Sequence, residues 1–142
     1  MRALLDINVL IALLDSDHSL HSQATGWFDK YANDGWASCP ITQNGCVRIM
    51  SNAAYPGALP VQAVVERLAK ASRTRFHEFW PDDLSLLDPA ILDPSRIHGP
   101  RQITDLYLLA LAVKNRGVFV TFDRLISTDA VKRAARGHLL QL

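Results

Sequence analysis

The chain has 142 residues, of which 49% are hydrophobic, and this length excludes two full domains while allowing one compact domain over residues 1–142. Its 15 lysine and arginine residues nearly balance 14 aspartate and glutamate residues, so the formal net charge of +1 excludes binding to nucleic acid through overall charge. No apolar run is long enough to cross a membrane, and the two cysteines lie in no disulfide or zinc spacing, so we expect a cytoplasmic protein with buried thiols.

The chain opens with a short apolar run that predicts a buried strand followed by a helix. Ala3–Leu5 has the composition of a parallel strand covered on both faces, and Asp6 follows at its carboxyl end. Residues 8–14 then predict a helix. A second helix is predicted over residues 20–31, where apolar side chains recur at helical spacing and Asp17 is placed to cap the start.

The middle of the chain predicts a second strand and two further helices. Trp36–Ser38 is a brief strand candidate, and Thr42 is placed to cap a helix that ends near Asn52. Pro60 stands where a first helical turn accepts proline. The apolar stripe after it predicts an amphipathic helix that ends near Ser72.

The last part of the chain predicts two strands around a central helix. Residues 76–80 alternate in the manner of a strand, and residues 118–121 form a buried apolar one. Residues 103–113 are apolar on almost every side, which predicts a central helix with Gly117 as its C-terminal cap. Strands that alternate with helices predict an α/β fold, in which a central, mainly parallel sheet is flanked by helices as a three-layer sandwich.

Three aspartates follow elements that meet at one edge of this predicted sheet. Asp6 and Asp123 each follow a strand, and ligands of parallel sheets bind beyond the carboxyl ends of the strands. Asp105 joins them from the first turn of the central helix, where the helix dipole favours a carboxylate. Grouped carboxylates repel one another and are costly to desolvate, so such a site raises a pKa or holds a cation.

The ligand types favour a hard cation. No histidine or cysteine is placed to favour zinc, so the predicted cofactor is Mg²⁺, for which Mn²⁺ can substitute, and the sequence sets no preference between the two. Asn8 is a candidate to orient a ligand or a water, and Thr121 is a candidate to hydrogen bond to Asp123 or to a water at the site. A cation held there activates water and stabilises the leaving oxygen of a phosphodiester, which is the chemistry of a nuclease.

Four motifs carry a family resemblance over nearly the whole chain. In order they are L-L-D-I-N-V-L, T-Q-N-G-C-V-R-I-M-S, I-T-D-L-Y-L-L-A-L-A and V-T-F-D-R. They resemble the PIN-domain ribonucleases of the VapC toxin type. The resemblance implies a PIN-like fold and a Mg²⁺- or Mn²⁺-dependent endoribonuclease in which Asp6, Asp105 and Asp123 are the catalytic, metal-binding acids. It also implies a homodimer that a small cognate antitoxin protein holds inactive.

The resemblance further implies a substrate class. As the toxin of a type II toxin–antitoxin system, the protein would cleave structured RNA or single-stranded loops in tRNA, rRNA or mRNA, and so inhibit translation and growth. Arg48, Arg101 and Arg124 stand near the motif ends and are candidates for RNA phosphate contacts, which suit the planar guanidinium.

One position departs from the family's pattern. Many members carry a glutamate after the threonine of the second motif, where this chain has Gln43. An amide can coordinate through its oxygen but brings no negative charge and cannot act as a general base. A catalytically weakened PIN-like module that binds RNA or the antitoxin is therefore the alternative function. A phosphoacceptor signalling domain is a more distant one, since it needs further acids beside Asp6 and a lysine where Arg124 stands.

Overall fold

Five short strands form one sheet in the order β3-β2-β1-β4-β5, and all four neighbouring pairs are parallel. The computed structural model describes residues 1–142. The strands are β1 Ala3–Leu5, β2 Trp36–Ser38, β3 His77–Phe79, β4 Val118–Thr121 and β5 Leu139–Gln141. The predicted parallel sheet is therefore confirmed, with β1 at its centre.

Five α-helices connect the strands, and each lies where the apolar spacing predicts a helix. No helix is both long enough and apolar enough to cross a membrane. The helices are α1 Ile7–Leu14, α2 His21–Tyr31, α3 Pro40–Met50, α4 Val61–Ser72 and α5 Ile103–Lys114, with 3₁₀ turns at Ala32–Asp34, Pro94–Arg96, Pro100–Gln102 and Arg136–His138.

The alternation of strand side chains divides the core into two layers. On one face Leu4 and Phe119 pack against α5, whose residues 106–112 are all buried. On the other face Leu5 and Val120 pack against residues of α1, α3 and α4. Helices on both faces confirm the three-layer sandwich. Because α5 is covered on nearly every side, its sequence shows little amphipathic pattern.

The central strands bring distant parts of the chain to one edge. β1 pairs with β4 from Ala3 opposite Val118 to Leu5 opposite Val120. The N–H of Asp6 continues this pairing by donating to the carbonyl of Val120 at 2.9 Å. Both strands therefore end at the same edge of the sheet.

Two predicted N-terminal caps are wrong. α2 begins after Leu20 with no side-chain cap, and Asp17 instead directs its N–H to the Asp15 carboxylate at 3.0 Å. α3 begins three residues earlier than predicted, at Pro40 with Cys39 in the cap position, so that Thr42 lies inside its first turn. The Thr42 hydroxyl still serves the helix start, because it accepts the N–H of Cys39 at 3.0 Å.

The predicted C-terminal cap of α5 is also wrong. Arg116, with φ of 55°, takes the left-handed position that glycine usually fills at a helix end. Gly117 is needed for space instead, since a Cβ there would lie 2.6 Å from the carbonyl oxygen of Arg2 and 2.6 Å from the Trp80 ring. The edge strand β5 is missing from the prediction because it is only three residues long and its two adjacent leucines show no alternation of apolar and polar residues.

We expect Gly117→Ala to lower the free energy of unfolding by about 1–3 kcal/mol, because the new methyl group would overlap the Arg2 backbone and the Trp80 ring. Gly26→Ala is the matched control, since a Cβ at that helical position meets nothing within 4 Å. It should raise the stability by about 0.5–1 kcal/mol. Thermal unfolding of both variants measures the difference, and a neutral Gly117→Ala would contradict the close packing at this position.

Candidate active site

Asp6 is a buried carboxylate at the carboxyl end of β1, with 5% of its surface exposed. Its Oδ1 accepts the N–H of Ile7 at 2.7 Å and so caps α1, while its Oδ2 accepts the hydroxyl of Thr121 at 2.6 Å. Burial raises the pKa of Asp6 by more than these two bonds lower it, and the charge of Asp123 raises it slightly further. The side chain is thus held in one orientation despite the cost of burying it.

Thr121 links two of the predicted acids through one hydroxyl. It is fully buried at the end of β4, donates to Asp6 Oδ2 and accepts the backbone N–H of Asp123 at 3.0 Å. The contact with Asp123 was predicted from the sequence. The bond to Asp6 was missed because the two residues lie far apart in the chain. Thr121 therefore ties the Asp6 carboxylate to the turn that carries Asp123.

Asp105 completes the cluster from the first turn of α5. Burial, followed by the negative charges of Asp6 and Asp123, raises its pKa to about 6. The carboxylate of Asp123 accepts the N–H of Leu125 at 2.7 Å, which orders the turn after β4. The structure thus brings the three acids into electrostatic contact from three separate segments.

The donor set fits a hard divalent cation. All three groups are carboxylates, the ligand type that Mg²⁺ and Mn²⁺ prefer. No three histidine, cysteine, aspartate or glutamate side chains lie close enough together in this structure to hold a metal ion as they stand. The fit therefore depends on the donor chemistry and on the coupling that raises the pKa of Asp105, where an added positive charge would offset the repulsion.

Two amide side chains hold the turn that carries Asp123. The carbonyl oxygen of Asn8, a predicted supporting residue, faces the N–H of Phe122 at 3.5 Å, which is a long hydrogen bond. Gln141 Nε2 donates to the carbonyl of Asp123 at 3.1 Å. Sequence reasoning missed Gln141 because it lies on β5, the strand that the apolar pattern does not reveal.

Gln43 belongs to a separate chain of side-chain contacts. Its Nε2 donates to Ser38 Oγ at 2.9 Å, and this hydroxyl lies 2.8 Å from Nε2 of His77. Burial, followed by the charge of Arg2, lowers the pKa of His77, so the neutral ring accepts the Ser38 hydroxyl. Gln43 makes no hydrogen bond with the three acids, and its carbonyl oxygen has no protein partner.

The three candidate arginines are exposed and available. None of Arg48, Arg101 and Arg124 has an ion pair within 4.0 Å or a side-chain hydrogen bond. Arg124 directly follows Asp123, and Arg101 lies in the 3₁₀ turn before α5. Arg48 lies in the last turn of α3, and contacts of the three arginines with a polyanion stay a prediction.

We expect Asp105→Asn to stabilise the protein in the presence of chelator at pH 7.5. The pKa of Asp105 is raised from 3.8 to about 6 in the folded protein, so the ionised carboxyl destabilises the fold. The protein is free of this penalty below about pH 4 and acquires it as the pH rises through about 6. Since Asp105 is only half-buried, solvent screening reduces the gain to about 1 kcal/mol.

Thermal unfolding between pH 4 and 8 measures this gain, which should vanish towards pH 4. Asp29→Asn on the exposed side of α2 is the control and should show no such trend. A gain that is equal at all pH values would contradict the electrostatic coupling of the three acids.

Comparison with known proteins gives a family match. The PIN-domain model matches residues 3–130. Ribonuclease VapC44 of Mycobacterium tuberculosis is 52% identical over 142 residues, covering 100% of both chains. Ribonuclease VapC39 of the same organism is 40% identical over 131 residues, covering 92% of this chain and 94% of its own.

A solved structure shares the fold. It is the crystal structure of VapBC2 from Rickettsia felis bound to a DNA fragment from their promoter, matched with a TM-score of 0.56 over 87% of this chain and 89% of that one. The sequence identity is 11%, so the likeness concerns the fold alone.

Proposed function

We propose, because this chain belongs to the PIN-domain family and to its VapC ribonucleases, that it is a divalent-cation-dependent endoribonuclease and the toxin of a type II toxin–antitoxin pair. The observation that carries the proposal is the coupling of Asp6, Asp105 and Asp123 at the carboxyl edge of the sheet. The two Mycobacterium tuberculosis relatives bear the name ribonuclease, which supports the reaction class.

In this proposal the three acids hold Mg²⁺, for which Mn²⁺ can substitute. When bound there, the cation would supply Lewis-acid chemistry, which lowers the pKa of a water and stabilises the leaving oxygen of a phosphodiester. Asp6 keeps one orientation because Thr121 and the Ile7 N–H hold its two oxygens, and each oxygen retains a second lone pair for a ligand. Asp105 and Asp123 bring the remaining negative charge from two other segments of the chain.

The substrate in this proposal is RNA that is structured or that presents a single-stranded loop, in tRNA, rRNA or mRNA. Cleavage there stops translation and growth. Arg48, Arg101 and Arg124 would contact its phosphates, since each is exposed and free of ion pairs. The proposed site of action is the cytoplasm, and the homodimer implied by the family stays a prediction.

A catalytically weakened binding module is the second candidate function. The supporting observation is that Gln43 directs its amide to Ser38 and adds no charge to the acidic cluster. Such a module would bind RNA or the antitoxin without cutting RNA. Metal-dependent cleavage therefore distinguishes the two candidates.

We expect Asp6→Asn and Asp105→Asn each to lower the rate of RNA cleavage in Mg²⁺ by about 10²-fold or more, because each removes a charge that would hold the cation. Total cellular RNA incubated with Mg²⁺, with Mn²⁺ or with chelator is the assay, and sequencing of the new ends maps the cuts. Asp29→Asn is the control, because it changes the charge equally on an exposed helix surface. A folded Asp6→Asn protein that still cuts RNA would contradict the assignment.

We also expect a small antitoxin protein, encoded beside this chain, to bind it and suppress its activity. The support is family membership together with the shared fold of the Rickettsia felis structure, which is one of VapBC2. Co-expression of this chain, tagged, with its untagged neighbour should yield a complex that does not cut RNA. Recovery of the tagged chain alone, in active form, would count against this partner.

A further inference from the structure

A polar cavity of about 620 Å³ lies at the end of α5 opposite to Asp105. Its walls come from the last turns of α5, from the loop over residues 83–91 and from residues 131–133. The lining carries four cations, Lys114, Arg116, Lys132 and Arg133, against two acids, Asp83 and Asp88. On a chain whose net charge is only +1, this is a local concentration of positive charge.

Three of these cations are free to bind a ligand. Lys114 Nζ forms an ion pair with Asp83 Oδ1 at 2.6 Å. Arg116, Lys132 and Arg133 are exposed, and none has an ion pair within 4.0 Å or a side-chain hydrogen bond. The cavity therefore offers two guanidinium groups and one ammonium group to an anion.

The backbone at both arginines is unusual. Arg116 and Arg133, with φ of 55° and 68°, are the only residues other than glycine with positive φ in the chain. Glycine or asparagine adopts this left-handed conformation at lower cost than arginine does. Both positions nevertheless carry arginine, and both line the same cavity. This indicates that the guanidinium groups have a role other than stabilising the local backbone.

Backbone hydrogen bonds order the two segments that carry these arginines. At the end of α5, the N–H of Arg116 donates to the Val113 carbonyl at 3.1 Å, and the N–H of Gly117 donates to the Ala112 carbonyl at 2.8 Å. The segment before Arg133 is joined to the neighbouring loop by Lys132 N–H, which donates to the Ile91 carbonyl at 2.8 Å. The cations are thus carried on ordered backbone, so little backbone entropy is lost when they bind.

We propose that this cavity is a second RNA site, which takes phosphate groups of the substrate strand at a distance from the scissile bond. The proposal rests on the ribonuclease function proposed above. α5 joins the two sites directly: at about 1.5 Å per residue, Lys114 lies roughly 14 Å along the helix axis from Asp105. Arginine suits this role because its planar fork contacts phosphate oxygens in pairs.

The double variant Arg116→Gly with Arg133→Gly tests the proposal, because glycine relieves the left-handed backbone while it removes both guanidinium groups. The variant should unfold at the same temperature as the wild type or higher. Binding of a fluorescently labelled single-stranded RNA of mixed sequence, measured by anisotropy in chelator to prevent cleavage, should weaken about 10-fold or more. The dependence of log affinity on log salt should become shallower by roughly 0.7 for each phosphate that the variant no longer neutralises.

Two further variants serve as controls. The double variant Arg116→Lys with Arg133→Lys keeps both charges but loses the planar forks, so it should keep the wild-type salt dependence while its affinity falls between those of the wild type and the double glycine variant. Arg73→Gly removes an exposed arginine at the end of α4 that has no ion pair, and it should leave RNA binding unchanged. Together these variants separate the charges at the cavity from a general loss of positive charge.

The outcomes separate this proposal from the proposed function. The second site is overturned if the double glycine variant binds RNA with unchanged affinity and salt dependence. The ribonuclease proposal still stands in that case, provided that the wild-type protein cuts RNA in Mg²⁺. Weaker binding of an oligoglutamate peptide, with RNA binding intact, would also overturn it and indicate an acidic protein partner. A wild-type protein that neither binds nor cuts RNA would overturn both proposals.

Discussion

The repulsion among three carboxylates is the constraint on which the rest of this structure depends. Asp6 is buried, and Asp105 has its pKa raised to about 6 by burial and by its acidic neighbours, so the cluster by itself lowers the stability of the fold. Contacts made by the surrounding fold hold the three carboxylates together. The paired strands β1 and β4 end at the same edge, and the Thr121 hydroxyl joins Asp6 to the backbone of Asp123. Such a cost is expected where charge is arranged for a ligand.

The elements that position the cluster could be predicted from the sequence because their signals are local. The apolar run Ala3–Leu5 ends at an aspartate, and residues 103–113 are apolar on nearly all sides, as a helix covered by the sheet and loops should be. The order of these segments along the chain then placed all three acids at one edge. Family resemblance supported the same three residues from four separate motifs.

What the sequence did not reveal depends on contacts between distant residues. β5 is only three residues long and shows no alternation of apolar and polar residues, so it was missed together with Gln141, which donates to the Asp123 carbonyl. The orientation of Gln43 towards Ser38 and His77 depends on the pairing of β2 with β3. Gly117 was taken for a helix cap, whereas its lack of a side chain admits the Arg2 carbonyl and the Trp80 ring. Each of these features needs the folded chain to exist before it can be recognised.

The most direct test of the proposed metal centre is crystallographic: crystals are grown in Mn²⁺, and data are collected to locate manganese by its anomalous scattering. We predict a manganese peak within coordination distance of carboxylate oxygens from Asp6, Asp105 and Asp123, and no such peak in the Asp6→Asn protein. Manganese bound elsewhere in the wild type, or no peak at the acidic cluster, would contradict the claim that these three acids form the metal centre of a ribonuclease.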